Sequence, residues 1–117
     1  MNKPDRILSL LSIAAKGRNV VSGGFTVEKA VKSGKAFLVI VALDASDNTK
    51  KMFRNMCEFY EVPIAEYGTK DTLGHAIGRQ MRANIAVTDQ GLAKSIAKQL
   101  RERQMNSEVE YGKNESI

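Results

Sequence analysis

Apolar residues along the chain recur at helical and at strand-like spacings in turn. Ile7, Leu8, Leu11 and Ala15 fall at helical spacing behind Pro4, which suits a first helical turn. This helix is expected to end near Lys16-Gly17, where the glycine can cap it. A short strand, Arg18 to Ser22, leads into a double glycine and a second helix whose core stripe is Val27, Ala30 and Val31. Ala36 to Leu43 is a continuous apolar run between Lys35 and Asp44, the pattern of a central strand covered on both faces. Asp44 to Asn48 is rich in N-cap residues, and a helix is expected from about Thr49 to Glu61 with Phe53, Met56, Cys57 and Tyr60 inward.

The second half repeats the alternation. Val62 to Tyr67 reads as a strand that Pro63 can begin, and Thr69 as the N-cap of a short helix packing Leu73, Ala76 and Ile77. Gly78 to Asn84 is a polar, basic loop containing Arg79, Met81 and Arg82, followed by a strand, Ile85 to Thr88. Asp89 then caps a last helix with Leu92, Ala93, Ile96, Ala97 and Leu100 on one stripe and Lys94, Lys98 and Arg101 on another. Strands alternating with helices imply an α/β/α sandwich around a mostly parallel four-stranded sheet. The expected organisation is one domain over residues 1–104 and a disordered acidic tail over 105–117, without internal repeats.

Composition adds little to this, but charge does. The hydrophobic fraction of 43% and charged fraction of 26% are ordinary for a globular chain. No apolar run approaches the ~20 residues of a membrane helix, and the N-terminus lacks a signal-peptide core, so a cytoplasmic protein with no membrane partner is expected. Residues 1–106 hold 17 of the 18 basic and 10 of the 13 acidic residues, a net +7 that the tail lowers to +5. A body this basic favours nucleic acid or an acidic surface.

Catalytic sets are missing. Ser22-Gly23-Gly24-Phe25-Thr26 matches neither G-x-G-x-x-G nor G-x-x-x-x-G-K-[ST]. His75, the single histidine, reads as structural, and Cys57, the single cysteine, reads as a small core residue. No histidine or cysteine cluster suggests a metal, no cofactor is implied, and Asp44 and Asp47 are explained as helix caps. Lys94, Lys98 and Arg101 form a solvated face, with accessory RNA contact as the alternative.

The glycine turn is the better candidate. Gly23 and Gly24 let the backbone turn through positive φ, and the first amides of the following helix point outward without intrahelical partners. At ~100° per residue, Lys29 lies opposite Val27, with Lys32 also on the solvent side. The turn and helix therefore suit a polyanion. Phe25, a large aromatic at this turn, is open to two readings: a plug for the core, or a stacking surface for an unpaired base.

These residues resemble the ribosomal protein L-seven-Ae family of kink-turn RNA binders, L-thirty-e-like proteins included, and among them the short bacterial members of the YlxQ type. The resemblance covers about Ile7 to Leu100. It rests on Gly23 with Lys29-Ala30-Val31 and Gly34, on Val41-Ala42-Leu43-Asp44, on Cys57 with Pro63, on Thr69-Lys70 with Leu73-Gly74, on Gly78, and on Ile85-Ala86-Val87. It implies the same α/β/α sandwich. It further implies that the turn and second helix enter the groove of a kink-turn and meet tandem sheared G·A pairs, while a loop before the last strand covers an extruded base. By position the turn contacts fall on Gly23, Gly24, Phe25 and Thr26, and the helix lysine on Lys29; Lys29 and Lys32 are expected to hold phosphates. The covering loop falls on Gln80, Met81, Arg82, Ala83 and Asn84. Ser22 and Phe25-Thr26 stand where archaeal members commonly carry a basic residue and an Asn-Glu pair.

The resulting expectation is a non-enzymatic, monomeric, ribosome-associated protein that binds structured RNA, either ribosomal RNA or another kink-turn RNA. Absence of a run of aromatics argues against a single-stranded target. The alternative is a protein-interaction module on the same fold, using the loop after Leu43 or the basic last helix.

Overall fold

A computed structural model describes residues 5–111 of the chain, so Pro4 and the end of the tail at 112–117 lie outside the described residues. The elements are α1 (Arg6–Lys16), β1 (Val20–Ser22), α2 (Gly24–Lys32), β2 (Leu38–Val41), α3 (Asp47–Tyr60), β3 (Ile64–Glu66), α4 (Lys70–Ala76), β4 (Asn84–Val87) and α5 (Gln90–Tyr111). The four strands form one sheet in the order β1-β4-β2-β3. Helices α2 and α3 pack together on one face, and α1 packs with α4 and α5 on the other, giving the expected three layers.

The expectation of a mostly parallel sheet is corrected. Only β2 and β3 are parallel; β4 runs antiparallel to both its neighbours, with Ser22 opposite Ile85 and Val41 opposite Asn84. The reason lies in the connection from β3 to β4. A parallel crossover must carry the chain back along the strand before it re-enters the sheet. Here α4 has 7 residues, about 10 Å of helix, and the chain after it doubles back. The Arg79 amide donates to the Gly74 carbonyl at 2.8 Å and the Arg82 amide to the Lys70 carbonyl at 3.0 Å. The excursion thus closes on its own starting point, and β4 enters the sheet from the end at which β3 left it.

Residue chemistry explains the core. β2 and β4 are buried at every position, as central strands with helices on both faces should be, whereas β1 and β3 are half-buried edges. Ile7 and Leu11, Val27 and Val31, Phe53 and Cys57, Leu73, and Ala93 and Ile96 close the core from the five helices. The apolar run 36–43 is longer than its strand: Phe37 and Leu43, which flank the strand within the run, are exposed. Tyr60, expected inward, is also exposed, and stacks edge-on against Phe59 with ring centroids 4.9 Å apart. Cys57 is enclosed, and burial pushes its thiol up to about 11, so it is a core residue with little thiolate at neutral pH.

Helix ends differ from expectation in detail. The residue that turns left-handed after α1 is Arg18, at φ 61°, not the capping Gly17. Ser46 caps α3, while the Asp44 carboxylate accepts the Lys70 amide at 2.9 Å and so caps α4 together with Thr69. α5 continues to Tyr111, beyond Gln104 where the sequence pattern placed the start of the tail. Each added helical residue gains a backbone hydrogen bond once the helix is nucleated, even without an apolar stripe. No helix among the described residues is long and apolar enough to cross a membrane.

One polar cluster ties three elements together. Asp5 caps α1 by accepting the Leu8 amide at 3.0 Å, and it also accepts the Tyr67 hydroxyl beyond the end of β3. Arg103 of α5 lies over the Tyr67 ring at 5.3 Å and within 3.8 Å of the Asp5 carboxylate. Burial, and then the hydrogen bond to Asp5, push the Tyr67 phenol from 10.0 up to about 12. The folded state therefore favours the protonated phenol, and its contribution is complete below pH 10 and lost as pH rises from 10 to 12. Tyr67→Phe is expected to lower unfolding stability by about 1 kcal/mol below pH 10. In urea titrations the gap between the two proteins should close between pH 10 and 12; a constant gap would remove this assignment.

Candidate nucleic-acid interface

The antiparallel insertion of β4 builds the site. In an all-parallel sheet, the turn after β1 and the loop before β4 would lie at opposite ends of the strands. Here they meet. The Gly23 amide donates to the Asn84 carbonyl at 3.3 Å, and Arg82 Nε donates to Ser22 Oγ at 3.0 Å. The second guanidinium arm of Arg82 donates to the Met81 carbonyl at 2.9 Å, which fixes the head group across the seam.

Gly23 sits at φ 96°, ψ 143°, a conformation that an L side chain strains to adopt, and it offers no side-chain cap to α2. The contrast with the other helices is informative. Asp5, Ser46, Thr69 and Asp89 each accept an amide from the first turn of α1, α3, α4 and α5. The first amides of α2 keep their hydrogen-bonding capacity for an incoming acceptor. A Cβ on either glycine of the turn would meet nothing within 4 Å, so the surface above the turn is open to a close approach.

Phe25 is 79% exposed, which overturns the reading of it as a core plug. Thr26 and Lys29 are also exposed, and Phe25, Lys29, Lys32 and Ser33 border a shallow groove of about 440 Å³ along α2. Lys32 is engaged: its ammonium lies 2.8 Å from the Glu28 carboxylate, whose hydrogen bond and charge raise the lysine pKa. An exposed pair of this kind exchanges readily for a phosphate. Gly23, Gly24, Phe25, Thr26 and Lys29 therefore occupy one end of the sheet, with Lys32 further along the helix.

On the loop side, Met81 is 56% exposed, Arg82 and Ala83 are half-buried, and Asn84 is buried at 4% exposure. Asn84 Oδ1 has no hydrogen-bond partner within the described structure, at a buried position beside the turn. An unsatisfied buried acceptor costs roughly 1–3 kcal/mol, which a ligand donor could recover. Arg18 and Arg79 were not singled out for the site from sequence. They line the same groove as Ser22, Thr26 and Arg82, and the signal available was only their charge. His75 is exposed on α4, and among the described residues no cluster of three metal-ligating side chains occurs.

Comparison with known proteins agrees with this architecture. Residues 5–97 match the ribosomal protein L7Ae/L30e/S12e/Gadd45 family, and the chain belongs to that family. It is 40% identical over 87 residues to the RNA-binding protein YlxQ of Bacillus subtilis (strain 168), a match covering 74% of this chain and 87% of that one. A second relative, the RNA-binding protein YlxQ of Enterococcus faecium, is 31% identical over 96 residues, covering 80% and 92%. Among solved structures, a Bacillus halodurans protein of unknown function superposes with a TM-score of 0.79 at 38% identity, covering 81% of this chain and 96% of that one. The Giardia lamblia 15.5kD RNA binding protein shares the fold, with a TM-score of 0.71 at 24% identity, covering 86% and 92%.

Gly74 holds the loop before β4 in place. A Cβ there would come within 1.6 Å of the Gln80 carbonyl oxygen and 3.2 Å of the Met81 Cα, so the loop backbone packs directly on α4. Gly74→Ala must push the loop off the helix, and a loss of about 1–3 kcal/mol is expected from the clash. Amide chemical-shift changes should concentrate at residues 79–84 and reach Gly23. A variant whose spectrum changes only within α4 would show that the loop does not depend on this contact.

Proposed function

We propose that the protein binds structured RNA of the kink-turn class, as a cytoplasmic monomer associated with ribosomal RNA or another kink-turn RNA. What carries the reading is the junction of an uncapped glycine turn with a basic loop at one end of the sheet, in a chain whose relatives are named RNA-binding proteins. In this reading the amides of Gly24, Phe25 and Thr26 and the Thr26 hydroxyl donate hydrogen bonds to acceptor atoms on the edges of sheared G·A pairs. Lys29 and Lys32 hold the backbone of the widened groove. Met81, Arg82 and Ala83 cover the extruded base, with Asn84 supplying a buried acceptor. Phe25 offers a stacking face rather than a hydrogen-bonding group.

A gel-shift comparison tests this. Binding to a hairpin with tandem G·A pairs should exceed binding to the same hairpin carrying Watson–Crick pairs by at least about tenfold, the scale of a few lost base contacts. Equal affinity for both would reduce the interaction to charge. Phe25→Ala should weaken the G·A hairpin by about 1–3 kcal/mol, the usual value of a base on an aromatic face. Because Phe25 is so exposed, the melting temperature should stay unchanged, and unchanged RNA affinity would take the ring out of the site. Lys29→Ala should weaken both hairpins alike, as loss of a phosphate contact does; an unchanged affinity would exclude that lysine.

A further inference from the structure

Behind the glycine turn lies a second basic feature. A groove of about 440 Å³ runs from Ser22 and Thr26 toward the end of α1, and Arg18, Arg79 and Arg82 line it. Two segments deliver these arginines: the left-handed residue after α1, and the loop between α4 and β4, which carries both Arg79 and Arg82. Val20, Val21 and Ile77 are among the apolar residues of its wall, and no carboxylate lines it. None of the three guanidinium groups takes part in an ion pair among the described residues. Arg82 is fixed by Ser22 and the Met81 carbonyl, whereas Arg18 and Arg79 are exposed.

Like charges held around one groove repel, and Arg18 adds the cost of a left-handed backbone without glycine, on the order of 1 kcal/mol. Beyond the two hydrogen bonds of Arg82, no ion pair among the described residues offsets this repulsion. An anion with several charges spaced along it relieves the repulsion at once, and the planar guanidinium forks match phosphate oxygens in pairs. The groove is continuous with the glycine turn through Ser22 and Thr26, so one strand can occupy both.

We propose that the Arg18–Arg79–Arg82 groove binds the phosphodiester backbone of RNA next to the segment that the turn reads. It would add affinity and salt dependence but no base discrimination. The inference rests on the RNA-binding reading above and extends it past the turn and the covering loop, which share Thr26 and Arg82 with the groove, to Arg18 and Arg79.

Salt titration of the double variant Arg18→Gln/Arg79→Gln separates the two ideas. The slope of log affinity against log potassium chloride should flatten by about 1–2, since each lost phosphate contact removes roughly 0.7–0.9. The ratio of affinities for the G·A and Watson–Crick hairpins should stay at the wild-type value. Arg18→Lys/Arg79→Lys, which keeps both charges, should retain the steep slope, and thermal melting should confirm that both variants fold. An unchanged slope in the glutamine variant overturns the groove assignment, and so does a fall in the affinity ratio, because the arginines would then be reading bases. If wild type binds the two hairpins equally, the kink-turn reading fails while the slope still tests the groove. If wild type binds neither, both fail together.

Discussion

The direction of β4 is the constraint on which the candidate site depends. Running β4 antiparallel between β1 and β2 brings the loop that precedes it to the turn that follows β1. Two local contacts make this direction possible: the Arg82 amide closing on the Lys70 carbonyl, and a loop backbone lying against α4 where Gly74 has no side chain. The Asp44 carboxylate, by accepting the Lys70 amide, ties the start of the same excursion to the segment after β2. Short-range hydrogen bonds around one small helix thus determine which loops share an end of the sheet.

Polar groups are distributed unevenly over this frame. At the other end of α1, Asp5, Tyr67 and Arg103 satisfy one another across three elements. Elsewhere, Glu66 pairs with Arg54 at 2.7 Å and with Lys50 at 3.9 Å, joining α3 to β3. Around the glycine turn the opposite holds. The first amides of α2 lack a side-chain cap, Asn84 Oδ1 lacks a donor, and Arg18 and Arg79 lack an acid partner among the described residues. Such groups are open to a ligand that carries both kinds of partner: an anion for the amides and guanidinium groups, and a hydrogen-bond donor for Asn84 Oδ1.

Much of the fold could be read from side-chain spacing, because burial imposes that spacing. Val27, Ala30 and Val31, or Ala93 and Ile96, are inward by the same periodicity that suggested their helices. Strand direction has no such imprint: the run 85–88 is equally apolar whichever way it points. What decided it was a backbone contact at Gly74, and a glycine inside a short helix carries no sign of what approaches it. The turn at Gly23-Gly24 was legible because positive φ calls for a particular residue type. Phe25 could not be resolved, since hydrophobicity alone does not separate a core ring from a ring held out for a ligand. Arg18 and Arg79 were hidden for a related reason: they are far apart in sequence, and only the folded chain brings them to one groove.

Exposure at Phe25 and Thr26 has a consequence for how such a protein can change over time. Neither side chain supports the core, so substitutions there are nearly silent for folding. The features that shape the site, Gly23, Gly74 and the Lys70–Arg82 closure, reside in backbone geometry. In the proposed reading, target preference and foldability are therefore carried by separate sets of residues. On that reading a lineage can exchange an amide and a carboxylate for a ring and a hydroxyl at positions 25 and 26 without first acquiring a stabilising mutation, and the scaffold can persist while its RNA target is replaced.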